Sequence, residues 1–150
     1  ISAWVNESYV KQAFAELKLD YEAQKQTLAN YDITGTDAVC KTPITRPKEA
    51  GEVWVEGAAI TPHASVVCTL AAVQLAEAAG KRVRVAYVFD KALGIKVFAD
   101  KAFYAVNATD ARKPVIVPFL LKKDAEAHAA SIGGRVATYA EASSLAAARF

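Results

Sequence analysis

Lys101-Ala102-Phe103-Tyr104-Ala105-Val106-Asn107, then Val115-Ile116-Val117-Pro118-Phe119, then Lys122-Lys123-Asp124-Ala125-Glu126-Ala127-His128, closed by Gly133-Gly134-Arg135-Val136, is the run on which the fold turns. Ala102 to Asn107 and Val115 to Phe119 are dense in β-branched and aromatic residues and predict two strands. Lys122 to Ile132 predicts a short helix, and Gly133 stands where a helix adopts a left-handed stop. Arg135 to Tyr139 predicts a further strand, and Glu141 to Arg149 a closing helix.

Working upstream, Val83 to Phe89 reads as a strand, and Asp90 to Gly94 as the turn into a return strand over Ile95 to Ala99. Aspartate suits the start of such a turn because its carboxylate bonds backbone N–H groups two and three residues on. Ala64 to Ala79 predicts a buried helix stopped by Gly80, and Glu52 to Val55 a strand ended by Gly57. From Thr34 to Gly51 the chain reads as a loop, since Pro43 and Pro47 remove backbone donors. Residues 4–31 predict one long amphipathic helix, with Val10, Phe14, Leu17, Tyr21, Leu28 and Tyr31 mostly at spacings of three, four or seven. Strands outnumber helices after residue 34. The expected class is α+β, with antiparallel sheet or sheets and inserted helices. The expected organisation is a helical arm over 1–34 followed by one domain over 35–150.

Composition narrows the function. A chain of 150 residues with 53% hydrophobic and 23% charged residues is that of a folded globular protein. Its net charge is +2 with the basic residues scattered, which argues against a nucleic-acid partner. No apolar run reaches the roughly 18 residues of a membrane span. The longest candidate, 64–79, is interrupted by Thr69, Gln74 and Glu77. The chain has no methionine, even at position 1, which agrees with a removed leader or with a numbering that starts after it. There is no Ser-His-Asp order with a nucleophile elbow, no phosphate-binding glycine loop and no His-Glu-x-x-His, so no enzyme is expected. Asp90 is read as a turn residue and His128 as a surface histidine. Cys40 and Cys68 have three uses open to them: a disulfide, a metal-binding pair, or two buried thiols. In an extracytoplasmic protein the compartment favours the disulfide, which would pin the proline-bearing loop to the first core helix.

The strand, strand, helix and Gly133-Gly134 pattern resembles the C-terminal half of the nitrous-oxide reductase accessory (NosL-like) family. The resemblance runs from about Asp37 to about Ala142. It includes Ala86-Tyr87-Val88-Phe89-Asp90 followed by Gly94 and Ala99, and the stretch from Gly57 to Leu75. It implies an extracytoplasmic protein, periplasmic or secreted, that binds and delivers copper to a protein partner. Similar proteins carry Cys-x-x-Cys-Gly-Met-x-Ile before the first strand. This chain reads Asp37-Ala38-Val39-Cys40-Lys41-Thr42-Pro43-Ile44, keeping Cys40 and Ile44 and replacing the first cysteine, the glycine and the methionine. Thiolates and thioethers are soft donors that select Cu(I). The remaining candidate donors are Cys40, Cys68 and His63, which would form a three-coordinate Cu(I) or a Zn(II) site if Cys40 meets Cys68. A disulfide would compete with that use, because it leaves no thiolate for a metal. A rival of another class is a structural or assembly subunit that closes Cys40 to Cys68. It would use Trp4, Tyr9, Phe14 and Tyr21 to contact copies of itself or a larger complex.

Overall fold

The structure, a computed structural model, describes residues 33–150. The helix expected over 4–31, with Trp4, Tyr9, Phe14 and Tyr21, lies outside these residues, as does the arm expected over 1–34 for all but its last two positions.

The described residues form an α+β fold of two antiparallel sheets. The first holds four strands in the order β2-β1-β3-β4, from β1 (Gly51–Val55), β2 (Thr61–His63), β3 (Val83–Phe89) and β4 (Lys96–Phe98). The second holds three in the order β6-β5-β7, from β5 (Phe103–Asn107), β6 (Val115–Phe119) and β7 (Arg135–Ala137). Three helices complete the body: α1 (Val66–Ala78), α2 (Lys122–Ser131) and α3 (Tyr139–Ala147).

Alternation along β5 explains how the second sheet is covered on both faces. Tyr104 and Val106 enter the main core with Leu70 and Val73 of α1, Val53 and Val88 of the first sheet, and Ala142 and Ala146 of α3. Ala105, pointing the other way, packs with Phe119 and with Ala125 and Ala129 of α2. Two buried faces demand apolar residues at every position, so the strand reads as a continuous apolar run. The first half of α1 is buried nearly all round, from Val66 through Val73. That pattern suits a helix lodged between layers rather than one lying on a surface.

Close approach of α1 to the first sheet depends on Gly51. A Cβ there would stand 2.2 Å from Thr69 Oγ1 and 2.8 Å from the Tyr87 carbonyl oxygen. Gly134 plays the same part at β5, where a Cβ would fall 2.0 Å from the Val106 carbonyl oxygen.

The structure departs from the sequence reading in two places. Thr61–His63 is a strand, pairing with β1 through Glu52↔Pro62. It is short and lies at the sheet edge, where the missing proline N–H leaves no ladder bond unmade. The final strand ends at Ala137, because Thr138 caps α3. Its hydroxyl accepts the Glu141 N–H at 3.2 Å while the Glu141 carboxylate turns back to the Thr138 N–H.

Candidate metal centre

Ser65 stands at the N-cap of α1, its hydroxyl accepting the Cys68 N–H at 3.1 Å. Cys68 thus lies in the first turn of the helix and is buried. Facing it is a tight turn closed by the Thr36↔Pro43 bridge and by the Asp37 N–H donating to the Thr42 carbonyl at 2.8 Å. Cys40 projects from this turn and is joined to Cys68 by a disulfide spanning a separation of 28 residues, with a Cα–Cα distance of 6.1 Å. By chain-entropy arguments a loop of that length adds about 3–4 kcal/mol relative to the open form.

Asp37 organises the turn. It is only 1% exposed. Its Oδ1 accepts the N–H groups of Val39 and Cys40, each at 2.7 Å. Its Oδ2 accepts the Ala64 N–H at 2.6 Å, tying the turn to the approach to α1. His63 Nδ1 meets Oδ1 at 3.1 Å, and His63 Nε2 meets Thr61 Oγ1 at 2.9 Å. An ionised carboxylate only accepts, so Nδ1 carries the proton; burial keeps a second proton off Nε2, which faces a Thr61 hydroxyl that also reaches the Val53 carbonyl at 3.3 Å.

Burial works against ionisation of Asp37, but the N–H groups of Ala64, Cys40 and Val39 together with His63 outweigh it and hold the carboxyl below its usual value. Burial of His63, which is fully enclosed, lowers its affinity for a proton, and the neighbouring Asp37 only partly offsets this. Both shifts act on stability in the same sense. Below about 6.5, the ordinary histidine value, the unfolded chain takes up a proton that folded His63 refuses. Below 3.8 the unfolded chain likewise protonates Asp37 first. Urea unfolding of the oxidised, metal-free protein is therefore expected to show stability level above pH 7 and falling as the pH drops below about 6.5. Stability that rises over that interval would contradict the assignment of a neutral His63.

Ligand atoms of Asp37, Cys40 and Cys68 lie within 4.8 Å of one another. His63 is outside that group and has both ring nitrogens engaged, so the side chain the fold sets beside the two sulfurs is the Asp37 carboxylate. Its signal in the sequence was an aspartate opening a turn, whose side chain bonds N–H groups two and three residues on. Lys41 adopts a φ of 59°, the left-handed region in which a side chain costs about 1–2 kcal/mol. This is the position at which the resembling motif has glycine. Asp90 sits at its turn as expected, bonding Leu93 and Leu120 N–H groups. His128 lies on α2 with its ring centroid 5.4 Å from that of Phe119 and is not in the group formed by Asp37, Cys40 and Cys68.

Two antiparallel sheets, a helix lodged between them and a cysteine-bearing turn before the first strand define a NosL-like fold. The crystal structure of the copper chaperone NosL from Shewanella denitrificans superposes with a TM-score of 0.57, at 22% identity, over 74% of this chain and 91% of that one. The likeness is one of fold. Neither a family profile nor a curated protein matches the sequence. No helix among the described residues is long and apolar enough to cross a membrane.

Proposed function

We propose that this protein handles copper outside the cytoplasm, in the periplasm or as a secreted protein, and carries Cu(I) on Cys40 and Cys68 once their disulfide is reduced. The reading is non-enzymatic: a metallochaperone that passes its ion to a protein partner. The observation that carries it is the grouping of two sulfurs and the Asp37 carboxylate within 4.8 Å, beside the Cys40 position of the resembling motif. Two thiolates suit a soft monovalent ion, whereas the carboxylate is hard. The sulfurs are therefore the donors, and Asp37 holds the turn that presents Cys40. The second sulfur comes from α1 instead of the loop. Opening the site consumes two electrons and two protons, supplied by a dithiol reductant, and binding Cu(I) releases the two thiol protons. The NosL-like fold and the extracytoplasmic preference of disulfides support the same reading.

An anaerobic Cu(I) competition titration, run on the oxidised protein and on protein reduced with a dithiol and then desalted, tests this. The reduced protein is expected to take one equivalent. The oxidised protein and a Cys68→Ser variant are expected to lose affinity by at least about a hundredfold, as removal of one of two soft ligands requires. Failure of the reduced protein to compete with the chelator would remove the copper reading.

The closed disulfide favours a second reading, a structural or assembly subunit for which Cys40–Cys68 is permanent. In that role Trp4, Tyr9, Phe14 and Tyr21, and the proposed arm over 1–34 that contains them, would supply the contact with copies of the chain or with a larger complex. Size-exclusion of the whole chain against one beginning at Gly35 separates the two readings. An unchanged oligomeric state removes the assembly role.

A further inference from the structure

Three exposed leucines are gathered on neighbouring loops, away from the cysteines in sequence and in hydrogen bonding. Leu93 lies in the turn between β3 and β4, and Leu120 and Leu121 lie between β6 and α2; they are 46%, 37% and 42% exposed. Asp90, itself buried, holds the two loops together. Its Oδ1 accepts the Leu93 N–H and its Oδ2 accepts the Leu120 N–H at 2.5 Å. The Lys91 N–H adds a bond to the Pro118 carbonyl at 3.0 Å. Lys91 is exposed on the first of these loops, and Lys122 and Lys123 are exposed in the first turn of α2 that follows the second.

The start of α2 breaks the rules that this chain obeys elsewhere. α1 is capped by Ser65, and α3 by Thr138 in a full capping box. α2 has Leu121 at its N-cap with no side-chain bond, followed at once by Lys122 and Lys123. Leucine is a poor N-cap, and the positive end of a helix dipole disfavours cations in the first turn. Asp124 is the acid set against them. Neither the leucine at the cap nor the two lysines favour α2, and one acid answers only part of their cost; local rules broken in this way mark surfaces kept for another use.

We propose that Leu93, Leu120 and Leu121, with Lys91, Lys122 and Lys123, form a face that seats on an anionic lipid bilayer. Charge selects this occupant. A second copy presenting the same face would bring lysines against lysines. A layer of anionic headgroups offers phosphate oxygens to the ammonium groups and to the N–H groups opening α2, while the leucines enter the acyl boundary. The two buried Asp90 bonds keep the loops side by side, so little ordering is needed on contact.

Co-sedimentation of the full, oxidised chain with vesicles tests the face independently of copper. Binding is expected on vesicles of phosphatidylcholine and phosphatidylglycerol in equal parts at low salt, weakening as salt rises. On phosphatidylcholine alone it should be weaker by about a hundredfold, the loss of three lysine–lipid attractions at about 1 kcal/mol each. A triple variant, Leu93→Ser with Leu120→Ser and Leu121→Ser, should lower binding about tenfold or more while its circular dichroism and melting stay as in the parent. Lys91→Gln with Lys122→Gln and Lys123→Gln should remove the preference for anionic vesicles. No binding to anionic vesicles, equal binding to both kinds, or binding unaltered by the leucine variant would each overturn the proposal. So would a dimer that the leucine variant converts to monomer in the absence of vesicle binding, since the face would then belong to a second copy.

Discussion

Asp37→Ala is expected to lower the unfolding free energy of the oxidised protein by about 3–5 kcal/mol, because several enclosed donors lose their acceptor at about 1–3 kcal/mol each where water cannot replace it. The substitution strands four donors at once: the N–H groups of Val39, Cys40 and Ala64 and the ring Nδ1 of His63. His63 is fully enclosed, and water cannot reach its ring to replace the lost partner without the turn opening. Asp37→Asn keeps the shape but turns an NH2 group toward N–H donors, so it should lose nearly as much. Urea unfolding at pH 7 measures both. A loss under about 1 kcal/mol for Asp37→Ala would show that the turn rehydrates freely and that the carboxylate is not its organiser. The same variants bear on copper, because a turn that no longer presents Cys40 to α1 should bind Cu(I) more weakly even though both sulfurs remain.

Gly51→Ala is expected to cost about 3 kcal/mol or more through overpacking, although it adds only a methyl group. The new Cβ would meet Thr69 Oγ1 at 2.2 Å, Thr69 Cγ2 at 2.7 Å and the Tyr87 carbonyl oxygen at 2.8 Å. Thr69 cannot swing aside cheaply, because it is fully buried and its hydroxyl donates to the Ser65 carbonyl at 2.7 Å. The Tyr87 carbonyl is backbone in the central strand β3, so relief requires the sheet and α1 to separate. Adding Thr69→Ala should recover part of the loss and leave the share due to the carbonyl, a coupling that a double-mutant cycle isolates. If Gly51→Ala costs under about 1 kcal/mol, the helix and sheet are less tightly apposed than the structure has them.

Which features were legible follows from the range of the forces behind them. β3 was readable to its ends, Val83–Phe89, because a seven-residue run with five β-branched or aromatic members stands between Gly80-Lys81-Arg82 and the turn opened by Asp90. α1 was placed within two residues, its apolar run stopped by Gly80. β2 escaped notice because three residues with a proline carry no periodic signal, and only pairing with β1 makes them a strand. The end of β7 was missed by two residues for a local reason. Thr138-Tyr139-Ala140-Glu141 is a capping box, and its threonine and tyrosine were read instead as strand.

The candidate site divides the same way. Cys40 and Cys68 were singled out as chemistry from the sequence, since no other cysteine exists in the chain. His63 was grouped with them by its nearness to Cys68 in sequence. In the fold it turns to Asp37 and Thr61, and Asp37 stands beside the sulfurs in its place. That exchange rests on bonds from Asp37 to residues 26 and 27 positions later, which no local pattern encodes.

By itself, then, the sequence determined the α+β class, most of the strands and helices, the likeness to the NosL-like fold and the two sulfur-bearing positions. These follow from apolar periodicity, glycine stops and short motifs that act within one or two turns of chain. Only the tertiary structure decided that Asp37 and not His63 sits at the sulfurs, that Gly51 admits α1 to the sheet, and that Asp90 ties the loop of Leu93 to that of Leu120. Each of these depends on groups far apart in sequence competing for the same buried space and the same hydrogen bonds, and that competition is resolved only when the sheets and helices are packed together.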